Sequence, residues 1–338
     1  MEVKVENTVK TEKKLNDIKN QGNSKVAYYP GCSLNSTAID FNQSIKKLFK
    51  VLEIGLEEIE DWNCCGTTPA ANVSHEILVF LSARNLLLAK KMGLDEVLSP
   101  CVSCYCKLFK AANVLNDSDE NKTAGQLKKR KEVLDILSPM NINPEEHHNF
   151  KIYSIVEMLL NNIGIINKKY LENRDKIKET ERSILENLNP VCYYGCVLLR
   201  TENVTRFDSM ENPTSMEKIL ETVGIKCRDF SFKTECCGAI LSLTQKNIVL
   251  KLSKLILDAT LEAGANSIVV CCQLCQQNLD MRQSQINRYY KTNYRIPVYY
   301  ISQILGMKMG ISYRDLMIDK LFVKPETVKK PAGNGVIS

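Results

Sequence analysis

The sequence predicts an α/β fold made by internal duplication: a β-α-β-CCG-α-β-CxxC-α unit used twice, with parallel strands and flanking helices. Short β-type runs alternate with segments of helical periodicity, the pattern that places helices on the faces of a parallel sheet. The same order of runs, helices and cysteine motifs then recurs in the second half.

Each unit opens on a strand running into Gly-Cys, Val26-Ala-Tyr-Tyr-Pro-Gly-Cys32 in the first half and Val191-Cys-Tyr-Tyr-Gly-Cys196 in the second. A helix follows, marked by Ile45, Leu48, Phe49 and Leu52 and by Met216, Ile219, Leu220 and Val223, both at i, i+3, i+4 and i+7. Asn212-Pro213 reads as an N-cap with proline at the first helical position. Next come Asn63-Cys-Cys-Gly66 and Glu235-Cys-Cys-Gly238, each preceding a longer helix, over about 75–92 and 246–263. The β-type runs Glu96-Val-Leu98 and Ser267-Ile-Val-Val270 lead into Cys101-x-x-Cys104 and Cys272-x-x-Cys275. Strand-to-loop junctions meet at the carboxyl edge of an open parallel sheet, so the cysteines are expected to gather there.

These limits give a polar extension over 1–24, a first cysteine domain over 25–165 with a polar insertion at about 116–150, a linker helix over 166–188, a second cysteine domain over 189–311 and a peripheral tail over 312–338.

The chain has 338 residues, 44% apolar, with a formal net charge of +6. Its lysines are scattered among acids, with no basic stripe of the kind that tracks nucleic acid. No apolar run reaches the ~18–20 residues that span a bilayer, and the polar start lacks the apolar core of a signal peptide. The expected compartment is therefore the cytoplasm, with no membrane insertion and no nucleic-acid partner. In that reducing setting fourteen cysteines point to metal or redox chemistry and away from a disulfide framework.

Ten of the fourteen form two matching sets. Cys32, Cys64, Cys65, Cys101 and Cys104 are spaced C-x31-CC-x35-CxxC; Cys196, Cys236, Cys237, Cys272 and Cys275 are spaced C-x39-CC-x34-CxxC. Zinc and a cubane cluster each take four protein thiolates, so five per set is one too many for either. Gly66 and Gly238 permit a positive-φ turn that lets both thiolates of an adjacent pair face one larger, multi-iron centre. A CxxC on a turn entering a helix adds two thiolates beside free N–H groups. The alternatives are zinc at one set, through CxxC plus the pair, and plain packing of buried cysteines. Cys106, Cys192, Cys227 and Cys271 have no counterpart in the other half and read as structural, with Cys271 a competitor to its neighbour Cys272.

Among other side chains, His75 follows the first Cys-Cys-Gly and could transfer protons, while His147 and His148 read as solvated. Trp62 reads as packing beside Cys64. Arg200 and Lys233 lie near motif cysteines and would suit an anionic substrate. There is no Walker loop, dinucleotide fingerprint or HExxH, so nucleotide and flavin binding fall to partners.

Taken with Asp61-Trp-Asn-Cys-Cys-Gly66, Glu211-Asn-Pro-Thr-Ser-Met216, Lys233-Thr-Glu-Cys-Cys-Gly238, Asn278-Leu-Asp280 and Pro297-Val-Tyr-Tyr-Ile-Ser-Gln-Ile-Leu-Gly306, the motifs resemble the B subunits of CoB–CoM heterodisulfide reductases and related CCG-domain proteins, from about Val26 to Gly310. The resemblance implies one noncubane [4Fe–4S] cluster per CCG motif, held by the two five-cysteine sets. It implies cleavage of the disulfide of coenzymes M and B between the clusters. It also implies two partners, a cubane-cluster subunit (of the C type) with a flavin-containing subunit (of the A type). Two functions stay open at this point: a disulfide-reducing subunit, or a non-catalytic electron-transfer or scaffold subunit.

Overall fold

The computed structural model describes residues 25–67, 74–116, 123–140, 148–200 and 207–325. Two parallel sheets organise them. β1 (Lys25–Tyr28), β2 (Gly55–Glu58), β3 (Glu96–Leu98) and β4 (Lys151–Tyr153) pair in the order β2-β1-β3-β4. β5 (Pro190–Tyr193), β6 (Ser267–Val270) and β7 (Val298–Tyr300) pair in the order β5-β6-β7. Ala27 lies opposite Val97 in the first sheet, and Val191 opposite Ile268 in the second. Every residue of β5, β6 and β7 is buried, as parallel strands covered on both faces require.

The first half carries helices α1 (Gly31–Leu34), α2 (Ile39–Leu52), α3 (His75–Lys91), α4 (Val102–Leu115), α5 (Ala124–Leu137), α6 (Ile155–Asn161), α7 (Ile163–Asn173) and α8 (Glu179–Glu186). The second carries α9 (Val197–Arg200), α10 (Ser215–Thr222), α11 (Lys246–Glu262), α12 (Gln273–Asp280), α13 (Gln283–Tyr290) and α14 (Ile301–Lys308). The two long helices after the Cys-Cys-Gly motifs, α3 and α11, begin where the sequence places them. Ser74 caps α3 by accepting from the Glu76 N–H at 3.0 Å.

Several expectations are revised. Each half adds a strand after its CxxC helix, β4 or β7, too short for alternation to reveal it. The second half has no described counterpart of β2: there Arg228 donates its N–H to the Pro190 carbonyl at 2.8 Å while Ile225 and Phe230 are buried. Asn212-Pro213 does not cap α10. The Asp208 carboxylate does, accepting from the N–H groups of Thr214 at 2.9 Å and Ser215 at 2.7 Å. The linker over 166–188 is the end of α7, a 3-10 turn and α8, not one helix. The polar insertion holds α5, opened by a Thr123–Gln126 capping box, with Val133 and Leu134 buried. The tail is not peripheral as far as Pro325. Leu316, Ile318 and Leu321 are buried, and the Asp280 carboxylate accepts from the N–H groups of Phe322 and Val323 at 2.8 and 2.9 Å. Residues 1–24 and the last part of the tail lie outside the described residues.

The halves exchange helices. α14, which follows β7, packs on α2 of the first half, while α6, which follows β4, packs on α10 of the second. At the first of these contacts Phe41 stacks on Tyr300 with ring centroids 4.1 Å apart and planes 9° from parallel. Beside it Ser44 and Ser302 share a hydrogen bond of 2.8 Å. Phe41 has no solvent exposure. Phe41→Ala is therefore expected to cost about 3–5 kcal/mol and to lower the stability of both halves together. Anaerobic urea unfolding should show one transition shifted as a whole; two separate transitions, only one of them moved, would contradict the interlock.

Candidate functional site

The strands within each sheet run parallel, and Cys32, Cys101, Cys196 and Cys272 follow closely after the carboxyl ends of β1, β3, β5 and β6. After β1 the chain turns through Gly31, φ +70°, into Cys32; after β5 it turns through Gly195, φ +71°, into Cys196. A Cβ at Gly31 would stand 2.9 Å from the Cys104 sulfur, and one at Gly195 would stand 2.9 Å from the Cys275 sulfur. Both positions need glycine for conformation and for space. Gly66 and Gly238 take the positive φ that the sequence predicts, 77° each. Their N–H groups donate to the Cys64 sulfur at 3.4 Å and the Cys236 sulfur at 3.3 Å.

In the first half Cys32 lies 3.9 Å from Cys64, and Cys65 lies 3.3 Å from Cys104, whose thiol is pushed up by its neighbour Cys101. In the second half Cys237 lies 3.6 Å from Cys275, which also has Cys272 as a neighbour, while Cys196 neighbours Cys236. The sulfurs thus form chains of neighbours; among the described residues no three such side chains converge on a point as around a single ion. Both chains run from the surface inward. Cys32 and Cys236 are exposed, whereas Cys65, Cys104, Cys237 and Cys275 are buried.

In each set the second thiol of the Cys-Cys pair is held low. A hydrogen bond from Cys104, helped by Thr67, holds the Cys65 thiol down at about 6, and Cys275, the Ala239 N–H and Asn278 hold Cys237 at about 7. Burial pushes Cys64 up to about 11 and Cys196 up to about 12. A thiolate already favoured near neutrality is the form that binds metal. Five thiols, backbone donors to sulfur and glycine-lined space suit a multi-iron cluster in each half.

Two tyrosines that the cysteine spacing does not single out lock the motif loops. The Tyr29 hydroxyl donates to the Asn63 carbonyl at 2.7 Å, and Tyr193 donates to the Glu235 carbonyl at 2.6 Å; each acceptor immediately precedes a Cys-Cys pair. Burial first, then the nearby cysteines, keeps both phenols protonated as donors. Each tyrosine stands three residues before the first cysteine of its set, so the sequence does carry a signal for them. The Tyr-Tyr doublets themselves are offset by one, so Cys192 occupies the place of Tyr28. Asn85 adds a two-point clamp on the Asn63 backbone, both bonds 2.9 Å.

Other candidates scatter. Lys233 faces no substrate space: it is buried, 2.7 Å from Glu217 and 3.0 Å from the Pro213 carbonyl. Its own carbonyl accepts from Tyr194 and Gly195, which positions the turn into Cys196. Arg200, half exposed, donates to Thr234 at 2.8 Å and lies 3.8 Å from Glu235, at the border of the second set. His75 opens α3, but its side chain, like His147, lies outside the described residues. His148 is buried and stacked on Phe150 at 5.5 Å, contrary to the solvated reading. Trp62 packs edge-on against Tyr29 at 5.5 Å. Cys192 and Cys227 pair at 3.5 Å, Cys106 approaches the Val197 carbonyl at 3.9 Å, and Cys271 turns to the Tyr194 carbonyl at 3.7 Å.

The two sets meet at the junction of the halves. α4, which carries Cys104, packs on α9, and Gln273 donates its amide to the Cys101 sulfur at 2.8 Å.

The cysteine-rich domain family named CCG matches residues 26–109 and 191–280. The chain is 30% identical to the 8-methylmenaquinol:fumarate reductase membrane anchor subunit of Wolinella succinogenes, over 86% of this chain and 94% of that one. It is 27% identical to the B subunit of the ferredoxin:CoB-CoM heterodisulfide reductase of Methanosarcina mazei, over 88% of this chain and 93% of that one. A hypothetical protein from Helicobacter pylori of known crystal structure superposes with a TM-score of 0.63 at 15% identity; the match covers 90% of this chain and 53% of that one, which shows a shared fold. Two matched domains and kinship along most of its length make this chain a member of the CCG cysteine-rich domain family, related to the B subunits of heterodisulfide reductases.

Proposed function

We propose that the chain is the disulfide-reducing subunit of a heterodisulfide reductase-type complex in the cytoplasm. Cys32, Cys64, Cys65, Cys101 and Cys104 hold one noncubane [4Fe–4S] cluster, and Cys196, Cys236, Cys237, Cys272 and Cys275 hold the other. Electrons come from a flavin subunit through a cubane-cluster subunit. When bound, the clusters deliver electrons singly and act as Lewis acids toward thiolate sulfur. The observation that carries this reading is the meeting of two like sets at one junction, Cys101 within a hydrogen bond of Gln273. A disulfide also presents two sulfurs, and holding both between fixed groups supplies orientation that a free encounter lacks. The exposed Cys32 and Cys236 mark the open sides of the two sets, while the buried pairs behind them keep water out.

A second reading rests on a separate observation. Ile240 and Leu243, directly after the second Cys-Cys-Gly, are 91% and 97% exposed, and the Wolinella relative is named a membrane anchor. No described helix is long and apolar enough to cross a membrane. On this reading the chain relays electrons at a membrane face. Adding a panel of disulfides, CoM-S-S-CoB among them, to the reduced complex separates the two. Reoxidation with thiol release is expected; a complex that every disulfide leaves reduced is a relay.

Three variant sets follow. Cys65→Ser and Cys237→Ser should each remove about half of the iron, since ligand loss empties one site, and both should abolish disulfide reduction; a one-cluster variant with near-normal turnover would contradict the two-centre reading. Cys106→Ala and Cys227→Ala should leave iron content unchanged, and iron loss equal to that of the motif variants would show that the ligands were misassigned. Lys233→Ala should destabilise the fold by about 1.5–3 kcal/mol, because partly exposed Glu217 loses its cation but keeps the Tyr194 hydroxyl. A rise in KM for disulfide at unchanged unfolding free energy would return Lys233 to substrate binding.

A further inference from the structure

The two halves repeat each other at the ligand positions but not between them. Within the first CxxC the residue after the leading cysteine is Val102; within the second it is Gln273. Gln273 opens α12 and is 1% exposed, and its side chain crosses the junction of the halves. There Nε2 donates to the Cys101 sulfur at 2.8 Å, while Oε1 is buried without a hydrogen-bond partner. An unpaired buried acceptor costs ~1–3 kcal/mol, a cost that an apolar side chain such as Val102 avoids. The amide therefore needs a task that outweighs this cost, and the sulfur it reaches belongs to the other set.

We propose that Gln273 is a positioning residue that makes the two redox centres unequal. The inference rests on the iron–sulfur reading above. A hydrogen bond to a cluster-binding thiolate withdraws negative charge from it and favours the reduced state of the cluster it serves. The donor sits in the second set and the acceptor in the first, so the bond raises the reduction potential of the centre held by Cys101. Val102 offers the second centre no matching donor across the junction, and within the second set the Asn278 amide reaches the Cys237 sulfur only at 3.7 Å. Two centres from one duplicated motif thus acquire an order: the first is the easier to reduce, and the second shares its backbone with the residue that makes it so.

Gln273→Met keeps the length of the side chain and removes the donor. Anaerobic redox titration of the holo-protein, followed by electron paramagnetic resonance with iron and sulfide determined per chain, reads the effect. One centre should fall in potential by about tenfold in its reduction equilibrium, which is ~59 mV for one electron, at unchanged iron. The other centre should hold its value. In a Cys65→Ser background, which lacks the first centre, the same substitution should shift nothing. Gln273→Asn, whose amide falls short of Cys101, should repeat the shift and serves if the methionine variant binds less iron. Unchanged potentials at full iron, or a shift in the Cys65→Ser background, would overturn the role of Gln273. A wild-type chain without iron would instead refute the function on which the inference rests.

Discussion

Crowding of sulfur is the constraint on which the rest of this structure depends. Each half brings five thiols into a chain of neighbours, with contacts as close as 3.3 Å in the first half and 3.6 Å in the second. Two thiolates ~4 Å apart repel by about 4 kcal/mol at an effective dielectric constant of 20. A hydrogen bond to a charged group returns only ~1.5–3 kcal/mol. The available donors, the Gly66 and Gly238 N–H groups among them, therefore cannot stabilise five thiolates per half. The graded acidities fit this balance: Cys65, Cys101 and Cys237 are held low, while Cys104 is driven well up by hydrogen bonding to Cys101 and Cys65, and Cys275 by hydrogen bonding to Cys237 and Cys272. The proposed cationic, multi-iron group would resolve the repulsion and let all five ionise.

The scaffold serves that constraint. Parallel strands bring chain segments far apart in sequence to one edge, four glycines turn the chain tightly there, and Tyr29 and Tyr193 fasten the loops in front of the Cys-Cys pairs. The exchange of α6 and α14 between halves then fixes one edge against the other, through the Phe41–Tyr300 stack. Duplication makes two like cysteine sets; the Gln273–Cys101 bond has no counterpart at Val102. The cations near the motifs have mostly structural work, as the pairing of buried Lys233 with Glu217 shows.

Much of this was legible in the sequence because it is local or repeated. The helices at Ile39–Leu52 and Lys246–Glu262 declare themselves by periodicity, and positive φ at Gly66 and Gly238 follows from the adjacent cysteines. What stayed hidden depends on contacts distant in sequence. β4 and β7 are three residues each and exist through pairing to β3 and β6. The Asp208 cap reaches forward over a loop, where Asn212-Pro213 offered a nearer but unused signal. His148, read as solvated from its polar surroundings, is buried by its stack on Phe150. No spacing rule places Gln273 beside Cys101, 172 residues away.

The central claim is that each five-cysteine set encloses a multi-iron cluster and not a single ion. Determination of iron, acid-labile sulfide and zinc in protein purified without oxygen tests it most directly. Iron and labile sulfide in near-equal amounts, at two centres per chain and with little zinc, are expected. Stoichiometric zinc without labile sulfide would contradict the account.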